Sequence, residues 1–87
     1  MPMVWIPSLL RELTGGRETV VVPGATVGQA IENLDAIYPG IKARLCEGNQ
    51  LRHSLAVVVD GKLSDRALFQ PVSETSEVHI VPAISGG

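Results

Sequence analysis

The clearest pattern along the chain is an apolar stripe at helical spacing. Val27, Ala30, Ile31, Leu34, Ile37 and Tyr38 recur at i, i+3 and i+4, with Glu32, Asn33 and Asp35 on the opposite face. Thr26 and Gln29 stand ahead of the stripe as a T-x-x-Q capping box, and Pro39-Gly40 stops it. The spacing predicts one amphipathic helix over 27–38. Ile41 and Leu45 suggest one more helical turn before Gly48-Asn49.

On either side the apolar residues fall in short β-branched runs. Residues 3–7, Met-Val-Trp-Ile-Pro, predict a first strand closed by Pro7. Leu9, Leu10 and Leu13 follow and are expected in the core, before a Thr14-Gly15-Gly16 turn. Residues 18–22 predict a second strand, ending at Pro23-Gly24. Residues 55–59, Leu-Ala-Val-Val-Val, are the strongest strand signal, and Asp60-Gly61 after it marks a type I′ hairpin with a short return over 62–64. Residues 65–72, with Ala67, Leu68, Phe69 and Val72, read as a turn or 3₁₀ segment carrying a core anchor. Residues 77–82 predict a last strand.

The order is β-β-α-β-(β)-β. It implies an α+β, β-grasp fold: a mixed sheet of four to five strands curled around one main helix. The right-handed crossover rule places the first and last strands side by side at the sheet centre. One domain is expected over 1–82, with 83–87 as a flexible tail. Strand alternation sorts the faces. With Val4, Ile6, Val57, Val59, Val78 and Ile80 turned toward the helix, Trp5, Val58, His79 and Val81 point outward. Those four residues, with Ile84 and Ser85 of the tail, form a candidate partner-docking patch.

Composition narrows the function classes. The 87 residues are 45% hydrophobic and carry a net charge of −2, a globular composition without the basic footprint of a nucleic-acid or polybasic membrane binder. No apolar run reaches the length of a membrane span, and the N-terminus lacks the basic region of a signal peptide. A soluble, cytoplasmic protein is the expectation. Cys46, the single cysteine, reads as a small, partly buried apolar residue, and His53 and His79 as surface or rim histidines. They are scattered singly, without metal-ligand spacing, and no nucleophile, phosphate-loop or metalloprotease motif is present. No catalytic site, bound cofactor or metal is expected.

The remaining feature is Gly86-Gly87, the last two residues of the sequence. Without Cβ atoms, such a pair enters a narrow slot in a partner's active site and presents the α-carboxylate there. A carboxylate is a poor electrophile until activated, most simply as an acyl-adenylate. A sulfur nucleophile then displaces AMP and leaves a thiocarboxylate or thioester.

Several pieces together carry a family resemblance over essentially the whole chain. They are Val4-Trp5-Ile6-Pro7-Ser8-Leu9-Leu10-Arg11 with Thr14-Gly15-Gly16, Gly24-Ala25-Thr26-Val27-Gly28, Tyr38-Pro39-Gly40-Ile41, Val58-Val59-Asp60-Gly61 and Ile80-Val81-Pro82-Ala83-Ile84-Ser85-Gly86-Gly87. In this order and spacing the chain resembles the small ubiquitin-like, β-grasp sulfur carriers of the MoaD/ThiS type. The resemblance implies that an E1-like adenylyltransferase/sulfurtransferase activates Gly87 with ATP. Sulfur is then installed as a thiocarboxylate and drawn off by an acceptor enzyme. The ends of the chain look most like the CysO-type carriers of cysteine biosynthesis. For those the acceptor is a pyridoxal-phosphate (PLP)-dependent cysteine synthase, and a metalloprotease-type hydrolase releases the product. A molybdopterin-synthase small subunit, held by its large subunit, is the alternative; that branch often has a second proline where this chain has Ala83. A thiamine-thiazole carrier and a ubiquitin-like modifier forming isopeptides are further alternatives.

Overall fold

A computed structural model describes residues 1–83. The helix forms where the stripe predicts. Helix α1, Val27–Ile37, buries Val27, Ala30, Ile31 and Leu34, and Thr26 caps it by accepting the Gln29 amide on its side-chain hydroxyl at 3.1 Å. The Gln29 side chain reaches back one residue beyond the cap and accepts the Ala25 amide at 2.9 Å. A short helix α2, Ile41–Leu45, supplies the extra turn and buries Ile41 and Leu45.

Five strands make one mixed sheet. They are β1 (Met3–Trp5), β2 (Thr19–Val21), β5 (Leu55–Val59), β6 (Lys62–Leu63) and β7 (Glu77–Pro82), in the order β2-β1-β7-β5-β6. Strands β1 and β7 are parallel neighbours, and the other pairs are antiparallel. The first and last strands therefore lie side by side inside the sheet, as the crossover rule requires. At the β5–β6 turn Asp60 and Gly61 both have positive φ, 52° and 82°, the type I′ geometry that the Asp-Gly pair predicts. Asp60 also ties this turn to β7: its amide donates to the Glu77 carbonyl at 3.0 Å, and its carboxylate accepts the Glu77 amide at 2.9 Å.

The core lies between the inner sheet face and α1. Val4, Ile6, Val20, Val57, Val59, Val78 and Ile80 pack there against the helix stripe, with Ile41 and Leu45 closing one end. The fold is a β-grasp.

Two local features depart from the sequence expectation, and a third gives it detail. Residues 8–14 form a 3₁₀ helix, Ser8–Thr14, in which Leu10 is buried and Leu13 half-buried, but Leu9 is 84% exposed. With three residues per turn, Leu10 and Leu13 share one side of the helix and Leu9 lies on another. Thr14 takes an inward place instead, its hydroxyl bonding the carbonyls of Arg11 and Arg17. Residues 46–51 form a small hairpin of β3 (Cys46–Glu47) and β4 (Gln50–Leu51), turning at Gly48-Asn49. In the 3₁₀ turn Ala67–Phe69, the side chains packed on the core come from Leu68 and, just after it, Val72, while Phe69 is 76% exposed.

Candidate functional site

The outer face of the sheet, turned away from α1, is built by the strand register. Trp5 pairs with Thr19 on one side and with His79 on the other; His79 pairs with Val58, and Val58 with Leu63. Directly paired residues project to the same face. One continuous row, Thr19–Trp5–His79–Val58–Leu63, thus crosses all five strands. Val81 and its partner Ala56 lie one step along the strands on the same face, and Met3 with its partners Val21 and Glu77 one step the other way. Trp5, Val58, His79 and Val81 are half-buried by one another and their neighbours, whereas Leu63 is 72% exposed.

The centre of this face is ordered by specific contacts. The Trp5 and His79 rings stack with centroids 5.0 Å apart and planes 12° from parallel. The Trp5 indole N–H donates to the Glu77 carboxylate at 2.9 Å. A groove beside the indole is lined by Met3, Val21, Thr75 and Glu77. The arrangement is an apolar platform with one fixed indole and a carboxylate at its rim, suited to covering by another protein.

The platform stands beside the departure point of the tail. Strand β7 pairs with β5 through Pro82, and the Ala83 amide still donates to the Ser54 carbonyl at 2.8 Å. The expected tail residues Ile84 and Ser85 and the expected sulfur-bearing Gly86 and Gly87 lie outside the described residues. Of the six residues singled out for docking, the structure places four on one face, in two adjacent rows.

Sequence reasoning had not singled out Glu77, Met3, Leu63 or Ala56. The signal for Glu77 was present: it stands two residues before His79 on one strand, so alternation turns both the same way. Leu63 and Ala56 required the cross-strand register.

The other reactive side chains stand apart. Cys46 is buried at the start of β3, where burial pushes its thiol above the ordinary value of 9.0. Lys42 pairs with Glu32, and this hydrogen bond raises the lysine. His53 is exposed. Among the described residues no cluster of His, Cys, Asp and Glu suits a metal ion, and no helix is long and apolar enough to cross a membrane.

Comparison with known proteins agrees with this geometry. The ThiS family model matches residues 4–87. The sulfur carrier protein CysO of Mycobacterium tuberculosis is 34% identical over 90 residues, covering 97% of this chain and 96% of that protein. In the crystal structure of the Amycolatopsis orientalis BexX/CysO complex, one chain superposes with a TM-score of 0.88 at 34% identity, each chain covered in full. The crystal structure of SAMP1 from Haloferax volcanii superposes at 0.77 with 27% identity, over 99% of this chain and 98% of that one. The near-complete family match, the sequence identity and the superposed β-grasp sheet place this chain in the ThiS family, whose members are small β-grasp carriers rather than catalysts.

Proposed function

We propose that this chain carries sulfur as a thiocarboxylate on Gly87. The observation that supports this reading most is the ThiS-family match, which runs through Gly86 and Gly87 while the fold beneath it superposes on CysO. Chemically the cycle has three steps. The Gly87 carboxylate attacks the α-phosphorus of ATP on an E1-like partner, giving the acyl-adenylate and pyrophosphate. A sulfur nucleophile at the sulfide level displaces AMP from the carbonyl, so that C–S replaces C–O. The thiocarboxylate then attacks an electrophile on an acceptor enzyme, and later hydrolysis returns the carboxylate. ATP belongs to the partner, and this chain acts as a protein co-substrate.

The 34% identity to CysO favours cysteine biosynthesis as the destination. On that branch a PLP-dependent cysteine synthase accepts the sulfur, and a metalloprotease-type hydrolase frees the product. The platform of Trp5, Val58, His79 and Val81 is the surface on which the activating partner docks. The BexX/CysO complex supports a protein partner for a carrier of this fold. From the Ala83 anchor, residues 84–87 span at most about 14 Å, enough to carry a carboxylate into a neighbouring active site.

Intact-mass measurement after incubation with the E1-like enzyme, ATP and sulfide tests the reading. A gain of about 16 Da, the exchange of one oxygen for sulfur, is expected and is absent when Gly87 is deleted. An unchanged mass overturns it. The likeness to SAMP1, a small archaeal modifier protein by name, favours a second reading as a protein modifier. Higher-mass isopeptide conjugates that vanish on Gly87 deletion are its signature.

A further inference from the structure

Two contacts hold the Trp5 indole, and they constrain it differently. The His79 ring stacks on it, with centroids 5.0 Å apart and planes 12° from parallel. A stack of two flat rings fixes the plane of the indole but leaves its edge free, because the ring reversed about χ2 still offers a flat face. The Glu77 carboxylate removes that freedom by accepting the indole N–H at 2.9 Å. Glu77 is itself anchored. Its amide donates to the Asp60 carboxylate at 2.9 Å, and its carbonyl accepts the Asp60 amide at 3.0 Å. The positive-φ turn after β5 thus fixes the backbone from which the carboxylate reaches Trp5. Other charges stand close by. Met1 and Glu74 line the groove beside the indole together with Glu77, and the Met1 ammonium donates to the Glu74 carbonyl at 3.1 Å. Among the described residues neither pairs with the Glu77 carboxylate, whose donor is the indole alone.

We propose that Glu77 is a positioning residue, which sets the Trp5 indole in one orientation before a partner arrives. An unclamped indole on a surface samples several rotamers, and docking must then freeze one of them. Freezing a side chain of this kind lowers affinity by about two- to tenfold. With Glu77 in place the ordering is complete in the free carrier, and the activating enzyme meets a rigid platform. What counts is an acceptor oxygen at the indole N–H; the charge on Glu77 is secondary. The effect belongs to binding and not to the adenylation step, so it enters KM and leaves kcat unchanged. The inference rests on the platform being the docking surface, as proposed above.

Glu77→Ala and Glu77→Gln in the whole chain test it, with thermal unfolding to confirm that each is folded. Trp5 is the only tryptophan in the sequence, so time-resolved emission anisotropy reads its indole alone. Fast wobble of the ring is expected to rise in Glu77→Ala and to stay near the native level in Glu77→Gln, which keeps an acceptor oxygen. Direct binding of the E1-like activating enzyme, without ATP, should weaken about threefold or more in Glu77→Ala, whereas Glu77→Gln should bind within about twofold of the native chain. ATP–pyrophosphate exchange should place the Glu77→Ala loss in KM, with kcat unchanged. Equal wobble in the native and alanine chains, or a freed indole with unchanged affinity, overturns the proposal. Equal losses of affinity in both variants assign the effect to the charge of Glu77, beside Met1 and Glu74, and also overturn it. A native chain that does not bind the enzyme overturns the platform reading and this inference with it. Binding that follows the expected order but without the later mass gain overturns the sulfur-carrier chemistry and leaves this inference standing.

Discussion

The two faces of the sheet are made from the same strands and comparable side chains, yet they have opposite fates. Val57 and Val59 point inward and are sealed under α1; Val58, between them, points outward and is half-buried. On β7, Val78 and Ile80 are buried while His79 and Val81 are not fully covered. The inner face is chemically uniform and aliphatic. The outer face is also largely apolar, but it carries an indole, an imidazole and a carboxylate in defined contact. A sheet built only to cover a helix has no need of an apolar second face, which antiparallel sheets commonly leave polar and solvated. The difference teaches that hydrophobicity alone does not separate core from site in this fold. The separating feature is polar atoms organised within an apolar surface.

Substitutions on the two faces should break that comparison unequally. Leu34→Ala removes a fully buried side chain from the helix stripe and should cost about 2–5 kcal/mol, read by chemical denaturation. In a small domain such a loss removes function through unfolding. Val58→Glu, one residue from buried neighbours on both sides, should cost under about 1 kcal/mol in stability. It should nonetheless weaken docking of the activating enzyme at least tenfold, about 1.4 kcal/mol. A Val58→Glu chain that unfolds, or that binds normally, would erase the distinction between the faces.

Two smaller effects sharpen the inner-face side. Thr26→Ala frees the Gln29 amide at the start of α1 and should cost about 1 kcal/mol, with docking unchanged in the folded protein. Burial raises the Cys46 thiol above its ordinary value of 9.0, so the unfolded chain loses that proton first as pH rises. The Cys46 contribution to stability is therefore full below that value and declines as pH climbs past it. Denaturation at pH 7 and pH 10 should show a larger drop for the native chain than for Cys46→Ala.

Much of this architecture was legible in the residues, for identifiable reasons. The helix was legible because its stripe, cap and stop signals agree, and α1 ends within one residue of the expected boundary. The faces of β1, β5 and β7 were legible because alternation needs only one buried residue to set the phase. Leu9 was misread because three leucines in a short stretch resemble a core segment, and only the tight 3₁₀ geometry decides which turns inward. The β3–β4 hairpin was missed because two-residue strands carry no period. The 3₁₀ turn and its core anchor were legible in residues 65–72, but which side chain anchors it was not: Leu68, packed near Gly28, and Val72 meet the core, and Phe69 stays outside. At the candidate site, Trp5, His79, Val58 and Val81 followed from alternation, whereas the Trp5–Glu77 bond and the reach of the row to Leu63 required the register.

The account stands or falls on whether the glycine end of this chain accepts sulfur once a partner has activated it. The most direct measurement is the intact mass of the carrier before and after exposure to its E1-like enzyme, ATP and sulfide. The prediction is a shift of about 16 Da that requires ATP and Gly87. A carrier that binds the enzyme through its intact platform and still emerges with its mass unchanged would contradict it.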